Sequence, residues 1–174
     1  MSTIDLIILG ILIKRPMNAY EIVQYVENDQ VDRMIKISVP AIYKSCKRLF
    51  QAGYLIGKTE KEGENPEKVI YSINAAGKKY FYELIRNFSS KVQPFYIDFN
   101  AVILNLDRLD REEGLATLLT LKKQIFAWKK WILEHEKDMK SAPFPVKSII
   151  KQYRMTFSAL FDWIEQTIRE FKKE

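Results

Sequence analysis

The chain is poor in the residues that most metal, redox and hydrolytic chemistries need. Among 174 residues there is one cysteine, Cys46, and one histidine, His135. A single cysteine excludes an internal disulfide and makes a reducing, cytoplasmic setting the expectation. One Cys and one His do not form a zinc ligand set, so neither metal nor cofactor is expected. No Gly-rich phosphate loop and no Ser-His-Asp set occurs, and the carboxylates are scattered over expected solvent faces. No catalytic residue is therefore nominated, and the chain does not read as an enzyme. The apolar run from Ile4 to Ile13 is interrupted by Asp5 and Gly10 and is too short to span a bilayer. Lys14-Arg15 follow it rather than precede it, the wrong order for a secretion signal. It reads as a buried core helix, with no membrane partner.

What is present points to a folded, basic protein. Hydrophobic residues make up 47% and aromatics 13%, enough for a core and against extended disorder. The formal net charge is +6, which suits a polyanion partner without requiring one.

The segment Ser38 to Ile56 carries the most information. Ser38 suits an N-cap, and Pro40 falls in the first turn, where its missing N–H costs nothing. Ile42, Cys46, Leu49 and Phe50 recur at helical spacing as one apolar stripe. Lys44, Lys47 and Arg48 lie off the stripe, with no acid in the segment to oppose them. Gly53 stands where a left-handed residue ends a helix. A short helix with a cationic face and an apolar back suits the DNA major groove.

The flanking pattern extends this reading. A first helix is expected from about Thr3 to Ile13, stopped by Arg15-Pro16. Asn18 and Glu21 form a capping-box pair at the start of a second helix. A polar break at Asn28-Asp29-Gln30 and a loop through Ile35 lead to the third helix at Ser38. Tyr54-Leu-Ile and Val69 to Ile73 read as two strands, with a polar hairpin from Gly57 to Lys68 between them. Asn74 caps a helix from Ala75 to about Phe88. Three helices followed by a hairpin is the winged helix-turn-helix order.

Beyond a boundary at Ser89 to Pro94 the pattern is helical. A short helix is expected from about Asp98 to Leu106, then a long one opened by Asp110 and Glu113. Leu118, Leu121, Ile125, Trp128, Ile132, His135 and Met139 step by three and four as a heptad seam. Ser141 to Pro145 breaks the chain. Val146, Ile150, Tyr153, Phe157, Leu160, Ile164 and Phe171 form a second seam, so the two helices should fold back as an antiparallel hairpin. The expected fold class is mostly α with a small β-wing. Residues 1–88 would be a winged helix-turn-helix DNA-binding domain, and residues 89–174 a helical dimerisation and effector domain.

These motifs resemble the PadR family of bacterial transcriptional regulators, in its longer form with a multi-helix C-terminal domain. Ile7-Ile-Leu-Gly-Ile-Leu is similar to the family's first helix, and Pro16-Met-Asn-Ala-Tyr-Glu21 to its Pro-x-His-Gly-Tyr-Glu motif. Ile42-Tyr43, Arg48-Leu49 and Gly53-Tyr54-Leu55 match its recognition-helix pattern, and Tyr71-Ser-Ile-Asn-Ala-Ala-Gly77 its strand-to-helix exit. Three departures stand out. Asn18-Ala19 replaces His-Gly, and Lys44 stands where proline is frequent. The wing reads Glu64-Asn-Pro-Glu67 in place of Gly-Arg-Pro with further bases. From Gly57 to Lys68, Lys58, Lys61 and Lys68 face Glu60, Glu62, Glu64 and Glu67, a net acidic wing. The resemblance implies a homodimeric repressor on double-stranded DNA, dimerised through the C-terminal helices with help from the helix after the wing. It also implies release by a small hydrophobic or phenolic effector.

The candidate DNA-contacting residues are Ser38, Val39, Ala41, Tyr43, Lys44 and Lys47 of the third helix, and Tyr20 of the second. Lys61 and Lys68 of the wing complete the set, with the main contacts on the third helix. Arg48 lies further along and could instead pair with an acid inside the protein. Phe126, Trp128, Trp131, Tyr153, Phe157 and Trp163 mark the effector and dimer region. Such rings either line a cavity or simply pack the hairpin and a dimer, and packing is their commoner fate. Trp131 lies off the seam, where it would face a partner chain or a pocket. His135 reads as a packed or hydrogen-bonded seam residue, and Cys46 as a small core hydrophobe. The alternative class is a winged-helix protein–protein module without specific DNA binding, which the acidic wing would fit.

Overall fold

The computed structural model describes residues 2–28, 31–61, 67–92, 94–138 and 141–173. The chain divides into two compact units, Met1–Pro94 and Phe95–Glu174. The first runs α1 (Thr3–Lys14), β1 (Met17–Asn18), α2 (Ala19–Asn28), α3 (Val31–Met34), α4 (Val39–Gln51), β2 (Leu55–Glu60), β3 (Lys68–Ile73) and α5 (Ala75–Ser90). This is a winged helix-turn-helix, and the third helix of the sequence reading is α4.

Two elements of this unit were not anticipated. The segment expected as loop up to Ile35 contains the single turn α3. The hairpin is a three-stranded sheet of order β1-β3-β2, because Met17 and Asn18 pair antiparallel with Tyr71 and Ile70. Two residues are too short to show a strand period. The hairpin strands are also longer than expected, with Leu55 opposite Ile73 through to Glu60 opposite Lys68. Residues 62–66, the acidic tip of the wing, lie outside the described residues, as do Asp29 and Gln30 of the expected polar break.

Local chemistry explains how α4 is held. Ile42, Cys46 and Leu49 are buried together with Ile8, Leu9 and Leu12 of α1 and Ile22 and Val26 of α2. Ser38 starts the helix differently from the expectation: its side chain makes no cap hydrogen bond, and its carbonyl accepts from Ile42 N–H at 3.1 Å. Phe50 was expected on the buried stripe but is 43% exposed. It sits at the edge of the stripe, its ring 6.0 Å from that of Tyr71 and against Gly57. The helix ends in a Schellman closure. Gly53 N–H donates to Phe50 O and Tyr54 N–H to Leu49 O, both at 3.0 Å, with Gly53 at φ +76°. Asn74 then joins this exit to α5. Its amide nitrogen donates to Gly53 O, and its side-chain oxygen accepts from Gly77 N–H, both at 2.8 Å.

The second unit contains α6 (Asn100–Ile103), a 3-10 turn (Leu106–Arg108), α7 (Arg111–Asp138) and α8 (Phe144–Phe171). The single short helix expected from Asp98 to Leu106 is thus split in two. Asp110 caps α7 as expected, accepting from Glu113 N–H at 2.8 Å. The proline-rich break is shorter than expected, since α8 begins at Phe144 with Pro145 inside its first turn.

The two long helices run antiparallel. Arg111 donates to Lys172 O at 2.7 Å, Lys122 pairs with Glu165 at 2.7 Å, and Glu136 pairs with Arg154 at 3.2 Å. As one partner advances along α7 the other retreats along α8. Leu118, Ile125, Ile164 and Ile168 are the buried centre. Ile132 and Ile150 are buried further along. Trp128 departs from its seam assignment and is 51% exposed. Met139 lies outside the described residues. No described helix is long and apolar enough to cross a membrane.

Candidate nucleic-acid interface

The solvent side of α4 is assembled by helical spacing. Tyr43 and Lys47 are four residues apart and Lys44 and Lys47 three, so the three side chains share one face. All three are exposed, opposite buried Ile42, Cys46 and Leu49. Ser38 and Val39 are exposed at the helix start, while Ala41 is half-buried. The helix contains no acid, and among the described residues no ion pair engages Lys44 or Lys47. Their charge is therefore uncompensated, which is what phosphate binding requires.

Tyr20 is placed by the turn before α2. Asn18 N–H donates to Glu21 Oε2 at 2.8 Å and Glu21 N–H to Asn18 Oδ1 at 2.9 Å, a reciprocal capping box. Tyr20 is 60% exposed, and its hydroxyl accepts from Gln24 Nε2 at 2.8 Å. Gln24 was not singled out from the sequence; its place one turn after Tyr20 was the available signal. In the wing, Lys58 is paired with Glu60 at 3.1 Å. Lys61 is exposed and Lys68 half-buried on β3.

Arg48 takes the internal alternative. Its guanidinium binds Asp5 of α1, and Ser45 Oγ donates to the same Asp5 oxygen at 2.6 Å. Cys46 is fully buried, and burial, reinforced by the nearby Asp5 charge, pushes its thiol up to about 12. A thiol so protonated packs as an apolar group and is a poor nucleophile.

In the second unit four of the six marked aromatic residues meet one another, and Phe126 and Trp163 meet other rings. Trp128 stacks on Phe157 at 5.9 Å and meets Trp131 edge-on at 5.7 Å, while Tyr153 stacks on Phe157 at 6.4 Å. Trp131, expected to face a pocket or partner, lies 4.0 Å from the His135 ring, whose Nδ1 is 2.9 Å from Trp131 O. Phe126 tilts onto Phe161 at 5.6 Å, and Trp163 stacks on Phe99 at 5.7 Å. A depression of about 400 Å³ in this unit is lined by Val102, Ala116, Thr117, Thr120, Leu121 and Gln124, none of them among the marked rings. Among the described residues no cluster of His, Cys, Asp or Glu could hold a metal ion.

A winged helix-turn-helix whose third long helix exposes Lys44 and Lys47 is an arrangement that suits a DNA groove. Residues 8–83, less than half of the chain, match the transcriptional regulator PadR-like family. Solved structures share the fold over the full length. Bacillus subtilis PadR in complex with operator DNA is 17% identical at TM-score 0.80, covering 98% of this chain and 99% of that one. The same protein in complex with p-coumaric acid is 15% identical at TM-score 0.81, with the same coverage. The PadR-like regulator BC1756 from Bacillus cereus is 18% identical at TM-score 0.72, covering 99% of this chain and 100% of that one. No curated protein matches the sequence.

Proposed function

We propose that the chain is a homodimeric repressor that reads a near-palindromic operator through α4. The observation that carries this is the exposed face Tyr43, Lys44 and Lys47 on a helix that contains no acid. Lys44 and Lys47 contact phosphates, and the helix start, Ser38, Val39 and Ala41, lies nearest the base edges. Tyr20 donates to a phosphate from α2. Lys61 and Lys68 are secondary, because the wing bases alternate with acids. In a dimer the two α4 helices must enter successive major grooves, about 34–36 Å apart. The residue 89–174 domain sets that spacing through α7 and α8. A small hydrophobic or phenolic effector binding among Phe126, Trp128, Trp131, Tyr153, Phe157 and Trp163 releases the operator, because it favours one spacing over the other. The p-coumaric acid bound to the Bacillus subtilis relative supports this choice of effector class.

The test is a salt-titrated binding assay comparing the DNA upstream of the protein's own coding region with a shuffled fragment of equal length. Discriminating binding near ~150 mM salt supports a specific regulator. Weak binding, equal for both fragments and lost with salt, counts against it and favours the protein–protein module.

A further inference from the structure

Asp5 is a carboxylate in the first turn of α1, 3% exposed, and the helix's other buried residues are all apolar. One of its oxygens, Oδ1, takes two partners from α4: the Ser45 hydroxyl at 2.6 Å and the Arg48 guanidinium. Arg48 Nη2 also donates to Ser45 Oγ at 2.8 Å, closing a triangle. Ser45 and Arg48 are three residues apart, one turn of the same helix. The apolar contacts of Ile42, Cys46 and Leu49 with α1 and α2 resist separation but are non-directional. The triangle is directional. A charged, hydrogen-bonded group in a core is weak evidence for stability, because apolar residues of similar volume commonly hold such a place as well or better. Its distinct contribution is geometric.

We propose that Asp5 is a positioning residue for DNA reading: through Ser45 and Arg48 it fixes the rotation of α4 about its own axis. This rests on the reading of α4 as the DNA-contacting helix. The magnitude supports it. A rotation of about 20° carries a side-chain tip about 6 Å from the helix axis through about 2 Å. A hydrogen bond to a base edge tolerates only a few tenths of an ångström. Phosphate attraction by Lys44 and Lys47 is far less sensitive to such a movement. Loss of the triangle therefore reduces discrimination between sequences while leaving non-specific affinity nearly unchanged.

The experiment uses the full-length chain and two probes: a duplex enriched by the wild-type protein from a random-sequence pool, and a shuffled duplex of equal composition. The triple variant Asp5→Val, Ser45→Ala, Arg48→Met replaces the triangle with apolar side chains close to it in size. The expected result is an undiminished melting temperature, unchanged affinity for the shuffled duplex, and an enriched-to-shuffled ratio lowered roughly tenfold, within the range that one mismatched base pair costs. An unchanged ratio overturns the proposal. So does a fall in affinity for both duplexes alike with a shallower salt dependence, which would make Arg48 a phosphate contact. If the triple variant does not fold, Ser45→Ala alone decides: it keeps the ion pair, removes one of the two tethers, and must lower the ratio without lowering shuffled-duplex affinity. A wild-type protein that enriches no sequence overturns the operator reading itself and this proposal with it. Enrichment by the wild type with equal ratios in the variants overturns this proposal alone.

Discussion

Lys122 Nζ lies 2.7 Å from Glu165 Oε1 and joins α7 to α8 midway along their hairpin. The hydrogen bond from Lys122, with the added charges of Lys122, Arg169 and Lys129, holds the Glu165 carboxyl below its usual 4.5. A depressed carboxylate contributes stability above its unfolded value, and the contribution is lost as pH falls through the folded value. Melting temperatures followed from pH 7 to pH 3 should therefore fall more steeply for the wild type than for Glu165→Gln below about pH 4.5. Parallel curves would show that the pair does not couple to folding. The pair is over a third exposed on the Glu165 side, so its effect at neutral pH should be small.

Glycine substitutions separate two kinds of backbone demand. A Cβ on Gly77 would stand 2.2 Å from Tyr54 O, a backbone atom that cannot step aside. Gly77→Ala should cost about 1–3 kcal/mol or more, as overpacking does. Gly53 has open space around it but sits at φ +76°. Gly53→Ala should cost less, about 1 kcal/mol, through backbone strain alone. Urea unfolding of both variants checks the order; a larger loss at Gly53 would contradict the close approach of α5 to Tyr54.

The single thiol should be silent in the native protein. With Cys46 raised from 9.0 to about 12, a disulfide reagent at pH 8 should label it only after denaturation. The raised value also has a sign for stability. It is fully present below pH 9.0 and declines as pH rises toward 12. Rapid stoichiometric labelling of the folded chain would contradict the buried assignment.

The effector reading makes a separate demand. If a small phenolic or hydrophobic compound releases the DNA as proposed, replacing Trp131 and Trp163 with leucine should weaken that release. Identical responses before and after substitution would remove those rings from the effector site.

Local chemistry was the most legible part of the sequence. The Asn18–Glu21 capping box, the Gly53 closure and the Asn74 cap each depend on residues within a few positions of one another, and each formed as read. Long seams were legible for the same reason: Leu118, Ile125, Ile150 and Ile164 repeat often enough to declare a buried face. What the pattern hid depends on distance along the chain or on brevity. Asp5 and Arg48 are 43 residues apart, so the sequence could suggest an internal partner for Arg48 but not name it. β1 and α3 span two and four residues, too few for a period. Phe50 and Trp128 fitted their stripes by spacing, but they lie where the covering layer ends, and spacing does not report that edge. On the interface itself, the basic face of α4 was readable from Lys44 and Lys47. The Tyr20–Gln24 pair and the Asp5–Ser45–Arg48 triangle became visible only in three dimensions.

Binding of DNA phosphate by the cations of α4 is tested by the salt dependence of binding for wild type and for Lys44→Ala with Lys47→Ala. The log–log slope should fall by about one to two units in the double variant, with loss of binding to the DNA upstream of the coding region. An unchanged slope and unchanged affinity would contradict the account and point to a winged helix that binds protein instead.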